Sequence, residues 1–168
     1  MIDEIQVENL ALIRSASLVP ARGLTVLTGE TGAGKTTTAL SILRLLPERT
    51  GHITKGSIIF DNTDLLRYTN VDMQAVRGER IAMIFQDPMT SLNPTMNVGA
   101  QIVEGIRTHD SKISHRDALA RAVKLLELVG IPSPEERIGN YPHQLSGGMR
   151  QRVMIAIAIA CSPDIIIA

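Results

Sequence analysis

The run Leu145-Ser146-Gly147-Gly148-Met149-Arg150-Gln151-Arg152 joins a turn of small residues to a stretch of helical character. A helix that begins there leaves its first N–H groups without partners and carries a partial positive charge at that end, so an anion above it is favoured. A second run stands upstream: Gly29-Glu30-Thr31-Gly32-Ala33-Gly34-Lys35-Thr36, with the spacing G-x-x-x-x-G-K-T. Its glycines let backbone N–H groups wrap phosphates closely. Lys35 brings a point charge to the terminal phosphates, and Thr36 offers a hydroxyl to Mg²⁺. Thr37 is a further nucleotide-facing candidate, although with Thr38 it also reads as a first-turn helix residue. Two different phosphate-reading runs in one chain suggest a nucleotide shared between two copies. The plain alternatives are a glycine-rich turn upstream and, downstream, a Ser-capped helix with Arg150 and Arg152 solvated.

The flanking elements must position these runs. Leu24-Thr25-Val26-Leu27-Thr28 reads as a short buried strand before the upstream glycines. From Lys35 to Leu46 the apolar residues Ala39, Leu40, Ile42, Leu43 and Leu46 recur at helical spacing, and Pro47 ends the helix. That strand–loop–helix order is the context a phosphate loop requires. Strands are also expected near Ile2–Val7, Leu10–Val19, Ser57–Phe60, Ile81–Phe85 and Asp164–Ala168, with a turn at Asp61-Asn62. Helices are expected over Val98–Arg107, Ser114–Val129 and Gly147–Ala160. Ser114 with Asp117 forms a capping-box pattern, and Gly130 is a helix stop. Pro132 and Pro134 read as chain breaks. The result is an α/β core interrupted by a helical insert from about Gln86 to about Leu145.

Composition narrows the function classes. With 17 basic and 17 acidic residues the formal net charge is zero, so no broad field favours nucleic acid or anionic lipid. Aromatics are few (Phe60, Tyr68, Phe85 and Tyr141), which argues against a stacking platform for single strands. The lone Cys161 fits a reducing compartment and reads as a buried, inert thiol. No signal peptide is visible at the start, and the longest apolar stretch, Val153–Cys161, is too short to cross a bilayer. Membrane association is therefore expected only through a partner. His143 reads as a loop residue, and His52, His109 and His115 carry no assigned chemistry.

Three stretches carry a family resemblance: Ala39 to Pro47, Ile81 to Pro94 with Phe85-Gln86-Asp87-Pro88, and Tyr141 to Arg152. Over roughly residues 36–168 the chain resembles the ATP-binding subunits of ABC transporters, in the branch that imports oligopeptides, dipeptides or nickel. The resemblance implies a P-loop ABC-type nucleotide-binding domain: a RecA-like α/β core with an antiparallel β segment and a helical insert. It implies divisions at 1–85 (core), 86–145 (Gln86 loop and helical subdomain) and 146–168 (signature helix and the start of the Walker B strand). By that likeness Gly29 to Thr37 bind ATP, while Thr36 and Gln86 serve Mg²⁺. Gln86 also senses the γ-phosphate and touches the membrane subunit. Leu145, Ser146, Gly147, Gly148, Met149, Arg150 and Gln151 meet the ATP of an opposite subunit. The implied partners are a second ATP-binding subunit, identical or related, and transmembrane permease subunits, with no direct nucleic acid. The implied place is the cytoplasmic face of the cell membrane, or the cytoplasm if unassembled.

Two features depart from the transporter pattern. In the family, a strand like Ile165-Ile166-Ile167-Ala168 leads into the Walker B Asp and the catalytic Glu, so the chain reads as truncated before them. The expectation is nucleotide binding without turnover, a non-catalytic module, and an exposed strand at Ile165–Ile167 prone to aggregation. Residues 1–59 also lack any aromatic to stack on adenine. The segments Ile5 to Arg14 and Gly23 to Lys35 look instead like a RecN-type DNA-repair ATPase, which makes the chain a junction of two related ATPases joined inside the phosphate loop. Against a repair ATPase as a whole, residues 36–168 show no sustained heptads of the kind its coiled-coil arms require.

Overall fold

The computed structural model describes residues 5–10, 13–18, 25–27, 33–46, 53, 56–85, 87 and 91–168, with backbone alone at 5–10, 13–18, 25–27 and 33–36. Gly29 to Gly32 and Gln86 lie outside the described residues. The chain divides into two compact units: Met1–Ile81 with Asp164–Ala168, and Ala82–Pro163.

In the first unit, β1 (Ile5–Leu10) lies between β2 (Ile13–Leu18) and β4 (Ser57–Phe60), antiparallel to both, and β4 continues into β5 (Thr63–Asp64). The β4–β5 connection is Asp61-Asn62, both with positive φ (52° and 59°). Two left-handed residues make the tight hairpin turn whose twist suits paired strands, and Asp and Asn tolerate that region well. β3 (Thr25–Leu27) pairs in parallel with β7 (Ile165–Ile167), Val26 opposite Ile166. The sheet order is β3-β7-β6, β6 (Ile81–Met83) being the strand within which the chain leaves the first unit. Ile165, Ile166 and Ile167 are 0%, 3% and 5% exposed, so the strand expected to lie bare is buried as the middle strand of its sheet. Arg80 fastens its entry: Nε donates to Asp164 at 2.6 Å, and the backbone N–H groups of Asp164 and Ile165 donate to Arg80 O. That Asp164 bond, outweighing partial burial, holds the Arg80 guanidinium above its ordinary pKa.

The helix after β3, α1 (Ala33–Ile42), is shorter than the apolar spacing predicts. It stops because Arg44 adopts the left-handed region, φ 51°. Leu45 N–H then bonds Leu40 O at 2.7 Å and Arg44 N–H bonds Ser41 O at 3.0 Å, a Schellman end built without glycine. An arginine there costs about 1 kcal/mol of backbone strain. Arg77 offsets it, donating Nε to Leu43 O at 2.7 Å and Nη2 to Arg44 O at 3.0 Å. Burial first, then the nearby Arg44, pull the Arg77 pKa below its usual value. A short helix, α2 (Asn70–Val76), follows a single 3-10 turn and is absent from the sequence reading. Thr69 and Asp72 cap it reciprocally, a signal present in the chain as T-x-x-D.

The second unit is helical. α3 (Val98–His109), α4 (His115–Leu128), the short α5 (Pro134–Arg137) and α6 (Gly147–Ile159) surround a core that includes Ile102, Ile106, Ala122, Leu126, Val153 and Ala156. Ser114 caps α4 by accepting the Asp117 N–H, and Gly130 (φ 76°) ends it, as expected. Pro134 opens α5 rather than only breaking the chain, because proline suits a first helical position. β6 ends at Met83, two residues earlier than expected. Cys161 is half-buried, not buried, with its thiol directed at Gly105 O, 3.7 Å away.

Candidate functional site

The signature run is described in full. Segment 138–145 brings the chain to it through a 3-10 turn at Pro142–Gln144, held by Gln144 Oε1 accepting the Tyr141 N–H at 2.7 Å. Leu145 is 5% exposed, anchored in the helical core, and the next three residues are exposed. Ser146 sits at the N-cap of α6 in extended conformation (φ −65°, ψ 161°), and its Oγ accepts the Met149 N–H at 3.4 Å. A Cβ added at Gly147 or Gly148 would meet nothing within 4 Å. The first N–H groups of a helix have no intrahelical acceptor, so an uncrowded glycine pair there leaves room for an anion to approach them. Met149 is half-buried against the core, Arg150 is half-buried and Gln151 is exposed.

The helix that carries this start is held elsewhere along its length. Val153, Ala156 and Ala160 are no more than 1% exposed. Arg152 does not dangle in solvent: its Nη1 donates to Gly130 O at 2.8 Å, satisfying a carbonyl just past the end of α4. Arg121 of α4 donates Nη2 to Ala160 O at 2.6 Å at the far end of α6, where cations complement the helix dipole. Neither arginine announces its role by spacing, because each reaches a backbone carbonyl on a distant segment. His143 is exposed and stacks on Tyr141, with ring centroids 5.8 Å apart.

Of the upstream run, Ala33, Gly34, Lys35 and Thr36 form the first turn of α1, and Thr37 follows them with an exposed side chain. The observed order of β3, then α1, is the context the phosphate loop needs. The described donor set suits a polyanion: a capping serine and two open glycines at α6, with no group of three or more His, Cys, Asp or Glu to hold a metal among the described residues. No helix among those residues is long and apolar enough to cross a membrane.

Known proteins resemble the chain over most of its length. The chain is 55% identical over 140 residues to a probable peptide ABC transporter ATP-binding protein of Sinorhizobium fredii, covering 83% of this chain and 42% of that one. It is 46% identical over 166 residues to a putative peptide import ATP-binding protein of Brucella melitensis, covering 95% of this chain and 49% of that one. It thus spans under half the length of these curated relatives. The fold matches that of an ATP-binding cassette solved as a dimer in a post-hydrolysis state with ADP and phosphate: TM-score 0.76, 23% identity, 96% of this chain and 72% of that one. The fold is therefore that of a P-loop ABC-type ATPase. The repair-ATPase resemblance of the first 38 residues gains no support, since transporter likeness to the Brucella protein runs across the supposed junction. The sequence model of the ABC transporter family matches residues 16–168, and the chain belongs to that family.

Proposed function

We propose that the chain is the ATP-binding part of an ABC importer subunit that drives peptide uptake at the cytoplasmic face of a membrane, with permease subunits and a second ATP-binding subunit as partners. The observation that carries this reading is the exposed start of α6, where Ser146 caps and Gly147 and Gly148 face open space. Its support from relatives is the 55% identity to a protein named for peptide transport. In this reading Gly29 to Thr37 wrap the phosphates of the chain's own nucleotide. Lys35 neutralises their charge, and Thr36 and Gln86 offer oxygens for Mg²⁺. Residues Leu145 to Gln151 present Ser146 Oγ and the N–H groups of Gly147 and Gly148 to the nucleotide of the partner subunit. Bound Mg-ATP supplies the compact charge that both sets of residues recognise, and so favours the paired state over the separate one. Residues 1–85 serve as the core, 86–145 as the helical subdomain that faces the permease, and 146–168 as the signature helix and the strand after it.

Titration of the full protein with Mg-ATP, beside a phosphate-release assay, tests this. Lys35→Ala should weaken binding by about tenfold or more, the scale of a lost charge-assisted hydrogen bond. Binding indifferent to Lys35→Ala would remove the proposal. Phosphate release that is lost in Lys35→Ala supports the same reading.

A further inference from the structure

Three segments of the second unit meet at the first turn of α3. Asn97 caps that helix by accepting the Ala100 N–H at 2.7 Å. The two N–H groups between them are taken by another part of the chain: Val98 donates to Asn140 O and Gly99 to Ile138 O, each at 2.8 Å. These are the donors a helix start ordinarily offers to solvent or a ligand. From Asn140 the chain passes through the Pro142–Gln144 turn to buried Leu145 and the cap at Ser146. Gln101, one turn along α3, fastens the other side. Its Oε1 accepts the Asn93 N–H at 2.9 Å, and its Nε2 donates to Asn93 O and Met96 O at 3.0 Å. So the segment that follows Gln86 in the chain and the segment that leads into the signature are tied to one helical turn.

That tie depends on the absence of a side chain at position 99. A Cβ there would lie 2.5 Å from Ile138 Cγ1 and 2.9 Å from Ile138 O. The Cγ1 belongs to a side chain that can shift; the oxygen is backbone, and it is the acceptor for Gly99 N–H itself. Any residue larger than glycine must push segment 138–140 away and lengthen both bonds. We infer that Gly99 is a positioning residue: the close approach it permits fixes the signature run Leu145 to Gln151 relative to residues 91–97, so that the two move as one piece. The inference rests on the proposed role of the signature in reading a partner's nucleotide.

The test uses the full protein with Gly99→Ala, Gln101→Ala and Ser146→Ala, alone and combined. Without nucleotide, Gly99→Ala should speed amide exchange across residues 138–151 by about tenfold. With a non-hydrolysable ATP analogue it should leave the affinity of the chain's own nucleotide site within about twofold and weaken nucleotide-dependent self-association by roughly tenfold. Combined with Ser146→Ala, the loss should be less than the product of the two single losses, because both act through the signature. Unchanged exchange at 138–151, or strictly multiplicative losses, overturns the inference. Should Gly99→Ala fail to fold, Gln101→Ala adds no atom and should show the same non-additivity with Ser146→Ala; additivity there overturns the inference equally. A wild-type protein that binds no ATP analogue, or does not self-associate with it, refutes the proposed function instead, while the nucleotide-free exchange comparison still judges Gly99.

Discussion

Two helix starts in the same unit solve one problem in opposite ways. At α3, Asn97 caps the helix and segment 138–140 takes the N–H groups of Val98 and Gly99. At α6, Ser146 caps the helix and the next two residues face open space. Each start carries glycine, for different reasons. At 99 the chain itself occupies the place a side chain would need; at 147 and 148 that place is open. A helix start closed by its own chain is structural, whereas one left open keeps its positive end and its donors for something that arrives from outside.

Substitution can sharpen this contrast. The largest stability change is expected at the closed start. Gly99→Val should cost about 1–3 kcal/mol, the usual scale of overpacking, read as a lowered midpoint in denaturant. Next comes Asn97→Ala, with a loss of about 1 kcal/mol, because its cap bond is short at 2.7 Å. Ser146→Ala should cost roughly 0.5 kcal/mol, at the low end for caps, since its bond is long at 3.4 Å. Equal losses at the two caps would erase the distinction between a closed start and an open one.

The third start, that of α2, gives the smallest effect and a pH dependence. The Thr69 hydroxyl, then the Thr69 backbone N–H, hold the Asp72 carboxyl below its ordinary pKa. A lowered folded-state pKa means that the cap's contribution is complete above the ordinary carboxylate value and fades as pH falls through the lowered one. Protection of the Thr69–Met73 amides, measured against their intrinsic exchange rates at each pH, should therefore fall on acidification below about pH 4. Asp72→Asn should remove that pH dependence; an unchanged profile in the variant would show that another group sets it.

Much of this was legible in the chain because it is written locally. Ser114 and Asp117, the stop at Gly130, the turn at Asp61-Asn62 and the helix opening at Gly147 each follow from neighbouring residues, and the structure has all of them. What was not legible depends on distant partners. The end of α1 at Ile42 needs Arg77, more than thirty residues away, to satisfy the carbonyls of Leu43 and Arg44. The burial of Ile165–Ile167 needs the parallel partner β3 from the other end of the chain. Arg152 and Arg121, charged and without periodic meaning, act only through carbonyls of other segments. The family was readable because the phosphate loop and the signature are contiguous runs. The tie at Gly99 was not, because it joins residues about forty positions apart.

The proposed role of the open start of α6 is to read a nucleotide held by a partner subunit. The most direct measurement is sedimentation of the full protein, with and without a non-hydrolysable ATP analogue, for the wild type and Gly148→Asp. An acid in the first turn of a helix is neutral or favourable to folding by about 0.3–1 kcal/mol, and the site has room for it. Gly148→Asp should melt no lower than the wild type, bind the analogue at its own phosphate loop with unchanged affinity, and no longer pair when the analogue is added. Pairing as strong as that of the wild type would contradict that role.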